Sequence, residues 1–253
     1  MGVLSNWIDR GDLKHGDHIY SWRKGYIYAH HGIYMGDETV IHFTRGGEEI
    51  GTGTILDQFI SSSVPPRSDT PCQKCGDQST LNGVLSSCLD CFLSGGELYL
   101  FHYSVSPAFF IAKVRGGTCT LAASDSADDV LHRAKYLLQN GFGTYNVFKN
   151  NCEDFAIYCK TGLLVVTSYS VGRSGQLGTI MAAASAIVSS PLRFLTSSVG
   201  GLTVITSGMY CLNRVVSDVG IRRDVIKIPV ENLVARATED DGPAAATQLV
   251  DEH

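Results

Sequence analysis

The chain has 253 residues, of which 44% are hydrophobic and 18% are charged, a composition that can bury a core and excludes a disordered chain, a coiled coil and a collagen-like repeat. The 20 basic and 25 acidic residues give a net charge of −5. No long basic run is present, so nucleic acid is not an expected partner. The N-terminus lacks the apolar stretch of a signal peptide, which predicts a cytoplasmic protein with reduced thiols rather than a secreted one.

Residues 1–60 are dominated by short runs typical of β-strands. The three runs, separated by Gly and Asp turns, are GDHIYSWR, YAHHGIYMGD and TVIHFTR. Residues 61–96 are rich in Ser, Pro and Gly, so we expect a loop-like insert there. The run ELYLFHYSV then predicts one more strand.

Four cysteines of the insert have the spacing of a metal site. Cys72, Cys75, Cys88 and Cys91 form two C-x-x-C pairs separated by twelve residues. Two residues between thiols allow both sulfurs to face one ion, and two such pairs complete a tetrahedral shell. In a reducing compartment this favours structural zinc over a pair of local disulfides. Four sulfur ligands leave no position open for substrate, so we do not expect a catalytic metal. We also expect no organic cofactor.

Helical periodicity follows the insert. From Ser126 to Asn140 apolar residues recur at every third or fourth position, and Ser126 is a suitable N-cap. The block NNCEDFAIYCKTG predicts a second helix that begins at its Asn residues and ends at Gly162. The apolar side chains of this helix that we expect to face the core are Phe155, Ala156 and Cys159.

Cys152 stands at the start of this second helix and differs from the other cysteines outside the insert. Free N–H groups and the helix dipole stabilise a thiolate at this position, whereas the adjacent Glu153 and Asp154 act in the opposite direction. A nearby histidine is therefore needed if Cys152 is a nucleophile. We interpret the remaining three, as lone cysteines usually are, as buried small hydrophobes: Cys119, Cys159 and Cys211.

Three histidines on the predicted strands are candidates for that role. His30 and His31 point to opposite faces of one strand, so only one of them can face a shared pocket. A hairpin that turns at Gly36 and Asp37 brings His42 opposite this pair. Two imidazoles side by side, one as base and one as orienter, form the arrangement that an activated thiol requires.

The C-terminal third has a different composition. Two uncharged stretches, 174–192 and 194–213, have about the length of a membrane span, although they are rich in Ser, Thr and Gly. We expect an apolar helical region over 166–238, for which peripheral or integral membrane association and a helical hairpin packed on the domain are alternative interpretations. The tail at 239–253 is expected to be disordered.

Two of these motifs resemble the lecithin:retinol acyltransferase-like (LRAT, or NC-domain) family of the NlpC/P60 superfamily. HHGIYMGDETVIH is similar to the hairpin of that family, which has two histidines twelve residues apart, and NNCEDF is similar to its nucleophile helix. The resemblance covers residues 12–165, includes the four-cysteine insert as an addition, and is closest to the plant NC-domain branch. It implies an α+β fold, an antiparallel sheet packed on helices in a circularly permuted papain-like arrangement.

The resemblance also implies roles for individual residues. Cys152 matches the nucleophile of the family, and the spacing of twelve back from His42 selects His30 as the general base. His31 then stands at a position that is usually aromatic, and His42 matches the residue that orients the base. One departure is Asp154, where animal members often carry His, which puts substrate preference or partner contacts in doubt rather than the chemistry.

The implied activity is phospholipid deacylation or acyl transfer at a membrane surface through an acyl-cysteine intermediate, with a phospholipid or another acyl ester as substrate. The first alternative is a cysteine amidase or peptidase, since the wider superfamily cleaves amides. The second is a non-catalytic, zinc-stapled, membrane-associated adaptor or signalling protein whose triad persists without turnover. The sequence identifies no protein partner.

Overall fold

A five-stranded antiparallel sheet forms the centre of the protein. The computed structural model describes residues 6–23, 28–45, 71–78, 80–113, 115–143, 151–165 and 199–240. The strands of this sheet are β1 (His18–Arg23), β2 (Tyr28–Gly36), β3 (Thr39–Thr44), β4 (Gly83–Cys88) and β5 (Tyr99–Leu100). They lie in the order β4-β3-β2-β1-β5, and each pair is antiparallel. The mixed α+β class with an antiparallel sheet, expected from the sequence, is therefore confirmed.

The described part of the chain also contains a short 3₁₀ helix (Arg10–Asp12), several α-helices and a second, two-stranded sheet. The helices are α1 (Leu89–Leu93), α2 (Pro107–Ala112), α3 (Ala127–Asn140), α4 (Cys152–Thr161), α5 (Val199–Ser217) and α6 (Val230–Asp240). The strands of the second sheet are β6 (Leu163–Val165) and β7 (Val225–Lys227), which pair antiparallel.

The β2–β3 hairpin fixes which side chains share a face of the sheet. Its two-residue turn has positive φ at both Asp37 (47°) and Glu38 (54°), the backbone that a type I′ hairpin turn requires. The pairing aligns Gly32 with His42 and Gly36 with Thr39. The sequence predicted the turn at Gly36 and Asp37, one residue before the observed pair.

Helices cover both faces of the main sheet. On one face Ile33 and Phe43 pack against α3 and α4 in the largest core cluster. On the opposite face Ile19 and Val40 pack against Phe92 of α1. Because alternate residues of a strand point to opposite faces, the even-numbered residues of β2 lie on the α1 side and the odd-numbered ones on the α4 side.

Both predicted helices begin and end as their local sequences indicate. The Ser126 hydroxyl caps α3 by accepting from the Asp129 N–H at 3.3 Å. Helix α4 is capped by Asn151 and ends at Gly162, whose φ of +67° is the left-handed conformation that glycine adopts easily. The side chains that were expected in the core are fully buried: Phe155, Ala156 and Cys159.

The insert contains more regular structure than its composition predicts. Strand β4 pairs with β3 along its whole length, from Thr39–Cys88 to Thr44–Gly83, and α1 follows directly. A loop was expected here because the few apolar residues of β4 stand among Ser and Gly. The open edge of β3 supplies the pairing that makes this segment a strand. Residues 61–70, the start of the predicted insert, lie outside the described residues.

The C-terminal region was expected to be entirely helical, and the described part of it is not. The strand β7 interrupts it, and Ile228, next to this strand, donates its N–H to the Gly162 carbonyl at 3.0 Å and accepts from the Tyr158 hydroxyl at 2.9 Å. The β-branched pair Val225 and Ile226 favours the strand. Helix α6 continues to Asp240, two residues into the predicted tail.

The described helices include none that is both long enough and apolar enough to cross a membrane. This statement covers α5, which contains much of the second uncharged stretch. The first stretch, 174–192, and the rest of the tail, 241–253, lie outside the described residues.

Candidate functional site

Cys152 is the first residue of α4 and is fully buried. Its Sγ lies 2.7 Å from the Tyr28 hydroxyl and 3.9 Å from the Ala29 carbonyl oxygen. The backbone N–H of His31 also hydrogen-bonds the sulfur. Sequence reasoning missed Tyr28, and its only signal was its position two residues before His30, on the same face of the strand.

The sheet register explains how a helix residue reaches the backbone of β2. The pairing of β2 with β3 begins at Gly32 and His42, whereas β3 continues alongside β4 as far as Thr44. Ala29 and His31 therefore lie beyond the stretch of β2 that is paired with β3. The sulfur of Cys152 contacts the strand at this point.

Burial keeps the Cys152 sulfur protonated at neutral pH. It raises the pKa of the thiol to about 11, against hydrogen bonds from the Tyr28 hydroxyl and the His31 N–H, and with help from the charges of Glu153 and Asp154. The effect expected of the helix start is therefore outweighed by desolvation. A base is needed to remove the proton when the sulfur reacts.

A capping box uses part of the hydrogen-bonding capacity at the start of α4. The Asn151 side chain accepts from the N–H groups of Glu153 at 2.9 Å and Asp154 at 3.2 Å, and the Asp154 carboxylate accepts from the Asn151 N–H at 3.2 Å. Burial raises the pKa of Asp154 to about 8. Two of the amides that could have bound a substrate oxygen are thus already occupied.

His30 and His42 lie together on the α1 side of the sheet. His30 Nε2 is 2.9 Å from His42 Nδ1, and the two rings meet edge to face. The Phe92 ring packs against both imidazoles, at centroid distances of 5.3 and 5.6 Å. Among the described residues, His30 Nδ1 is buried and has no hydrogen-bond partner.

His31 lies on the opposite face in a second buried histidine pair. Its Nδ1 is 2.8 Å from His18 Nε2, and His18 Nδ1 is 2.8 Å from the Tyr103 hydroxyl. Sequence reasoning did not identify His18 or Tyr103. The signal for His18 was the β1–β2 register, in which it pairs with Ile33 and so shares a face with His31.

All four imidazoles are neutral at physiological pH. Burial lowers the pKa of His31 and His42 to about 3 and lowers the pKa of His30 and His18 well below the usual value. The positive charge of Arg23 further lowers the pKa of His30 and His42. A neutral imidazole has a ring nitrogen with a free lone pair, which can accept a proton from a neighbouring group.

Arg23 links the surroundings of the histidine pair to those of Cys152. Its guanidinium donates to the backbone carbonyls of Leu93, at 2.6 Å, and Phe92. Burial lowers the pKa of Arg23 to about 10, while Cys152 and Tyr28 act to raise it. In the described part of the chain, no ring nitrogen of His30 or His42 is hydrogen-bonded to Cys152 Sγ.

A chain of polar side chains continues from His42 into the insert. His42 Nε2 is 2.7 Å from the Ser87 hydroxyl. That hydroxyl donates to Gln78 Oε1, and Gln78 Nε2 donates to the Ser86 carbonyl at 2.7 Å. Sequence reasoning identified neither Ser87 nor Gln78.

The four predicted metal ligands come together. The sulfurs of Cys72, Cys75, Cys88 and Cys91 all lie within 4.8 Å of one another, an arrangement that could hold a metal ion. The first C-x-x-C pair is folded by a turn in which the Gly76 N–H donates to the Cys72 carbonyl at 2.8 Å. The backbone N–H groups of Cys75 and Lys74 lower the pKa of the Cys72 thiol to about 6, whereas burial raises the pKa of Cys75 and of Cys91. Cys72 therefore offers a thiolate suited to metal binding.

These features define a class of protein: an antiparallel sheet with paired histidines on adjacent strands, next to a helix that begins at a buried cysteine. Residues 11–165 match the family model described as lecithin retinol acyltransferase, and the chain belongs to this LRAT family. It is 55% identical over 255 residues to Protein LEAD-SENSITIVE 1 of Arabidopsis thaliana, and the match covers 98% of each chain. The family assignment predicted from the two motifs is therefore confirmed.

Proposed function

We propose that the protein is a thiol-dependent acyltransferase or acyl hydrolase that acts on phospholipids through an acyl-cysteine intermediate. Membership of the LRAT family makes thiol-based acyl chemistry the expected activity class. The observation that carries the proposal is the state of His30, whose neutral ring is held through Nε2 by His42 while its buried Nδ1 has no partner among the described residues. Such a nitrogen is suited to remove a proton from a thiol.

The position of Cys152 supports His30 as the base. Tyr28, whose hydroxyl contacts the sulfur at 2.7 Å, precedes His30 by two residues on the same face of β2. Residues two apart on one face of a strand are about 7 Å apart along the chain. The sulfur also contacts the backbone on either side of His30, at the Ala29 carbonyl and the His31 N–H, and the charge of Arg23 acts on both Cys152 and His30.

The proposed reaction has two halves. In the first, His30 Nδ1 takes the proton of Cys152 while Sγ attacks the ester carbonyl carbon, and the carbonyl electron pair moves to the oxygen. The C–O bond then breaks, the departing alcohol takes the proton from His30, and a thioester remains on Cys152. In the second half, water or another nucleophile attacks the thioester carbonyl carbon while His30 removes its proton. The C–S bond then breaks, the acyl product leaves, and the departing sulfur takes the proton from His30, which restores the thiol.

The negative oxygen formed in each half requires hydrogen-bond donors. Because the amides of Glu153 and Asp154 are occupied by Asn151, the donors that we propose are the Cys152 amide and the Tyr28 hydroxyl. A hydroxyl that donates to the sulfur in the resting enzyme can turn to the oxyanion as the sulfur bonds to the carbonyl carbon.

The order of these residues along the chain supports the circularly permuted papain-like arrangement as part of the proposal. In papain the nucleophilic cysteine lies near the mature N-terminus and its histidine follows far downstream. Here His30 and His42, on β2 and β3, precede Cys152 on α4. This order, with the histidines before the cysteine, is the one that an exchange of the two halves of a papain-like chain would produce.

We propose that the four-cysteine cluster binds one zinc ion in a structural role. Tetrahedral thiolate coordination suits zinc and leaves no open position for substrate. Metal analysis of the purified protein should find about one zinc per chain, and Cys75→Ser should release it. A wild-type content far below one zinc per chain would contradict this assignment.

A phospholipid substrate places the reaction at a membrane surface. On α5 the side chains of Val204, Leu212 and Val216 are exposed and lie at spacings of eight and four, which brings them to one side of the helix. This apolar side supports a peripheral attachment of the enzyme. Sedimentation with phospholipid vesicles should decrease in Leu212→Lys relative to wild type.

The experiment that tests the catalytic proposal is detection of the acyl-enzyme. Purified protein is incubated with phosphatidylcholine, and the intact mass is measured for wild type, Cys152→Ala, His30→Gln and the exposed-histidine control His132→Gln. Wild type and His132→Gln should gain one acyl chain that hydroxylamine removes, whereas the other two should not. Folded wild type that forms no adduct and releases no fatty acid would refute the proposal. Loss of the adduct in His31→Gln with its retention in His30→Gln would refute the choice of base.

A further inference from the structure

We infer that the insert contributes two positioning residues to the site, Ser87 and Gln78, which orient the hydrogen bonds of both histidines so that His30 Nδ1 carries the free lone pair. The catalytic consequence of this inference rests on the proposed function. The hydrogen-bond directions themselves follow from the chemistry of the groups in contact.

The direction of the chain is set at Gln78. The Ser86 carbonyl oxygen can only accept a hydrogen bond, so the Gln78 group that faces it at 2.7 Å is the NH₂. Gln78 Oε1 must then face Ser87, and the single hydroxyl proton of Ser87 is donated to it. The Ser87 oxygen is left with lone pairs alone to offer His42.

The histidine tautomers follow from this direction. His42 Nε2, 2.7 Å from the Ser87 oxygen, must carry the proton and donate it. In a neutral imidazole the other nitrogen is then an acceptor, so His42 Nδ1 accepts from His30 Nε2–H across 2.9 Å. The remaining nitrogen of His30, Nδ1, holds a lone pair. It is the buried nitrogen that has no partner among the described residues.

The chain of hydrogen bonds from Gln78 through Ser87 and His42 to His30, here called the relay, begins within the segment that carries the four cysteines. Gln78 follows Cys75 by three residues, Ser87 directly precedes Cys88, and Phe92, whose ring packs on both imidazoles, directly follows Cys91. Strand β4 pairs Ser87 with Val40 of β3, two residues before His42 on the same face, and from there the hydroxyl reaches the imidazole. The insert therefore determines which nitrogen of the histidine pair carries the free lone pair, in addition to bringing its four cysteines together.

Two substitutions act on the relay in different ways. Ser87→Ala removes the acceptor for His42 Nε2–H, so neither tautomer of His42 is favoured. Gln78→Ala, at a partly exposed position, leaves the Ser87 hydroxyl free to donate to His42 Nε2, which allows the whole chain to reverse and puts the proton on His30 Nδ1. Ser87→Thr keeps a hydroxyl at the same place. Ser86→Ala is the matched control, because it makes the same chemical change one residue away and retains the carbonyl that binds Gln78.

The test is ¹⁵N NMR of histidine-labelled protein, which distinguishes protonated from unprotonated ring nitrogens. Wild type, Ser87→Thr and Ser86→Ala should show His30 and His42 with protons on Nε2. Ser87→Ala and Gln78→Ala should show mixed or reversed tautomers, with a metal content equal to that of wild type. A wild-type His42 protonated on Nδ1, or tautomers that do not change in either variant, would overturn the inference.

Kinetics give the second measurement. In Ser87→Ala and Gln78→Ala, kcat should fall about 10–100-fold with little change in KM, since a misplaced base proton affects the chemical step more than binding. Ser87→Thr should restore most of the loss. If the wild type shows the expected tautomers but no acyl turnover, the proposed function is refuted, and the inference about Ser87 and Gln78 is unaffected. Changed tautomers with an unchanged kcat would overturn the positioning role.

Discussion

The buried, neutral state of His42 makes the stability of the protein sensitive to acid. His42 is 2% exposed, and burial, assisted by the charge of Arg23, lowers its pKa from 6.5 to about 3. A group whose pKa is lower in the folded than in the unfolded state binds fewer protons when folded. Its contribution to the free energy of unfolding is therefore lost as the pH falls from about 6.5 towards 3.

The size of this effect follows from the two pKa values. Between pH 7 and pH 5 the unfolded chain takes up about three-quarters of a proton at His42 and the folded chain almost none. At about 1.4 kcal/mol per pH unit and proton, the loss integrates to about 2 kcal/mol. Other groups titrate in the same range, including Asp154 with its pKa raised to about 8. The measurement therefore compares wild type with His42→Gln, because the other titrating groups are present in both proteins.

Urea unfolding at pH 7, 6 and 5 provides the assay. At pH 7 wild type should be more stable than His42→Gln, which loses hydrogen bonds to His30 and Ser87. The difference should shrink by about 2 kcal/mol on reaching pH 5. Phe92→Leu is the control, since it disturbs the same rings without removing a titrating group, and its difference from wild type should not depend on pH. A constant difference for His42→Gln would show that His42 is not held neutral.

Three further results are expected. Tyr28→Phe removes a hydrogen bond that lowers the pKa of Cys152. Alkylation of Cys152 by iodoacetamide at pH 9, followed by peptide mass spectrometry, should therefore slow severalfold. An equal or faster rate would contradict the contact. Removal of the proposed zinc by a strong chelator should lower the melting temperature and disturb α1, because an ion held by the four cysteines would anchor this segment; an unchanged melting curve after proven metal loss would count against it. Asn151→Ala should reduce the free energy of unfolding by about 1–2 kcal/mol and Asn151→Asp much less, since the aspartate keeps a capping acceptor; equal losses in both would reject the cap.

The parts of the fold that the sequence predicted depend on short-range chemistry. The ends of α4 are marked by a side chain that caps free amides, Asn151, and by a residue that adopts positive φ easily, Gly162. The contact of His30 with His42 depends on the two-residue turn and on a register shift between Tyr34 and Gly36, which aligns Gly32 with His42 and so sets His30 and His42 on one face. In each case the interacting groups are close in the chain or joined by one tight turn.

The parts that sequence reasoning missed depend on contacts between distant segments. The Tyr28 hydroxyl meets Cys152 across 124 residues, and the His18–Tyr103 contact spans 85. Likewise β4 is a strand because β3 offers it a partner, although its own residues are typical of a loop. Such contacts follow from the register of whole elements, which no local pattern encodes.

The second sheet moves the end of the folding unit well past the family match, which stops at residue 165. The Tyr158 hydroxyl and the Gly162 carbonyl both find their partner on the backbone of Ile228, a buried residue of the core cluster that includes α4. A fragment cut after Val165 would leave these two groups without partners and remove apolar packing beneath the helix of Cys152. Expression fragments, and chimeras between family members, therefore need to extend through α6 if the cysteine helix is to stay in place.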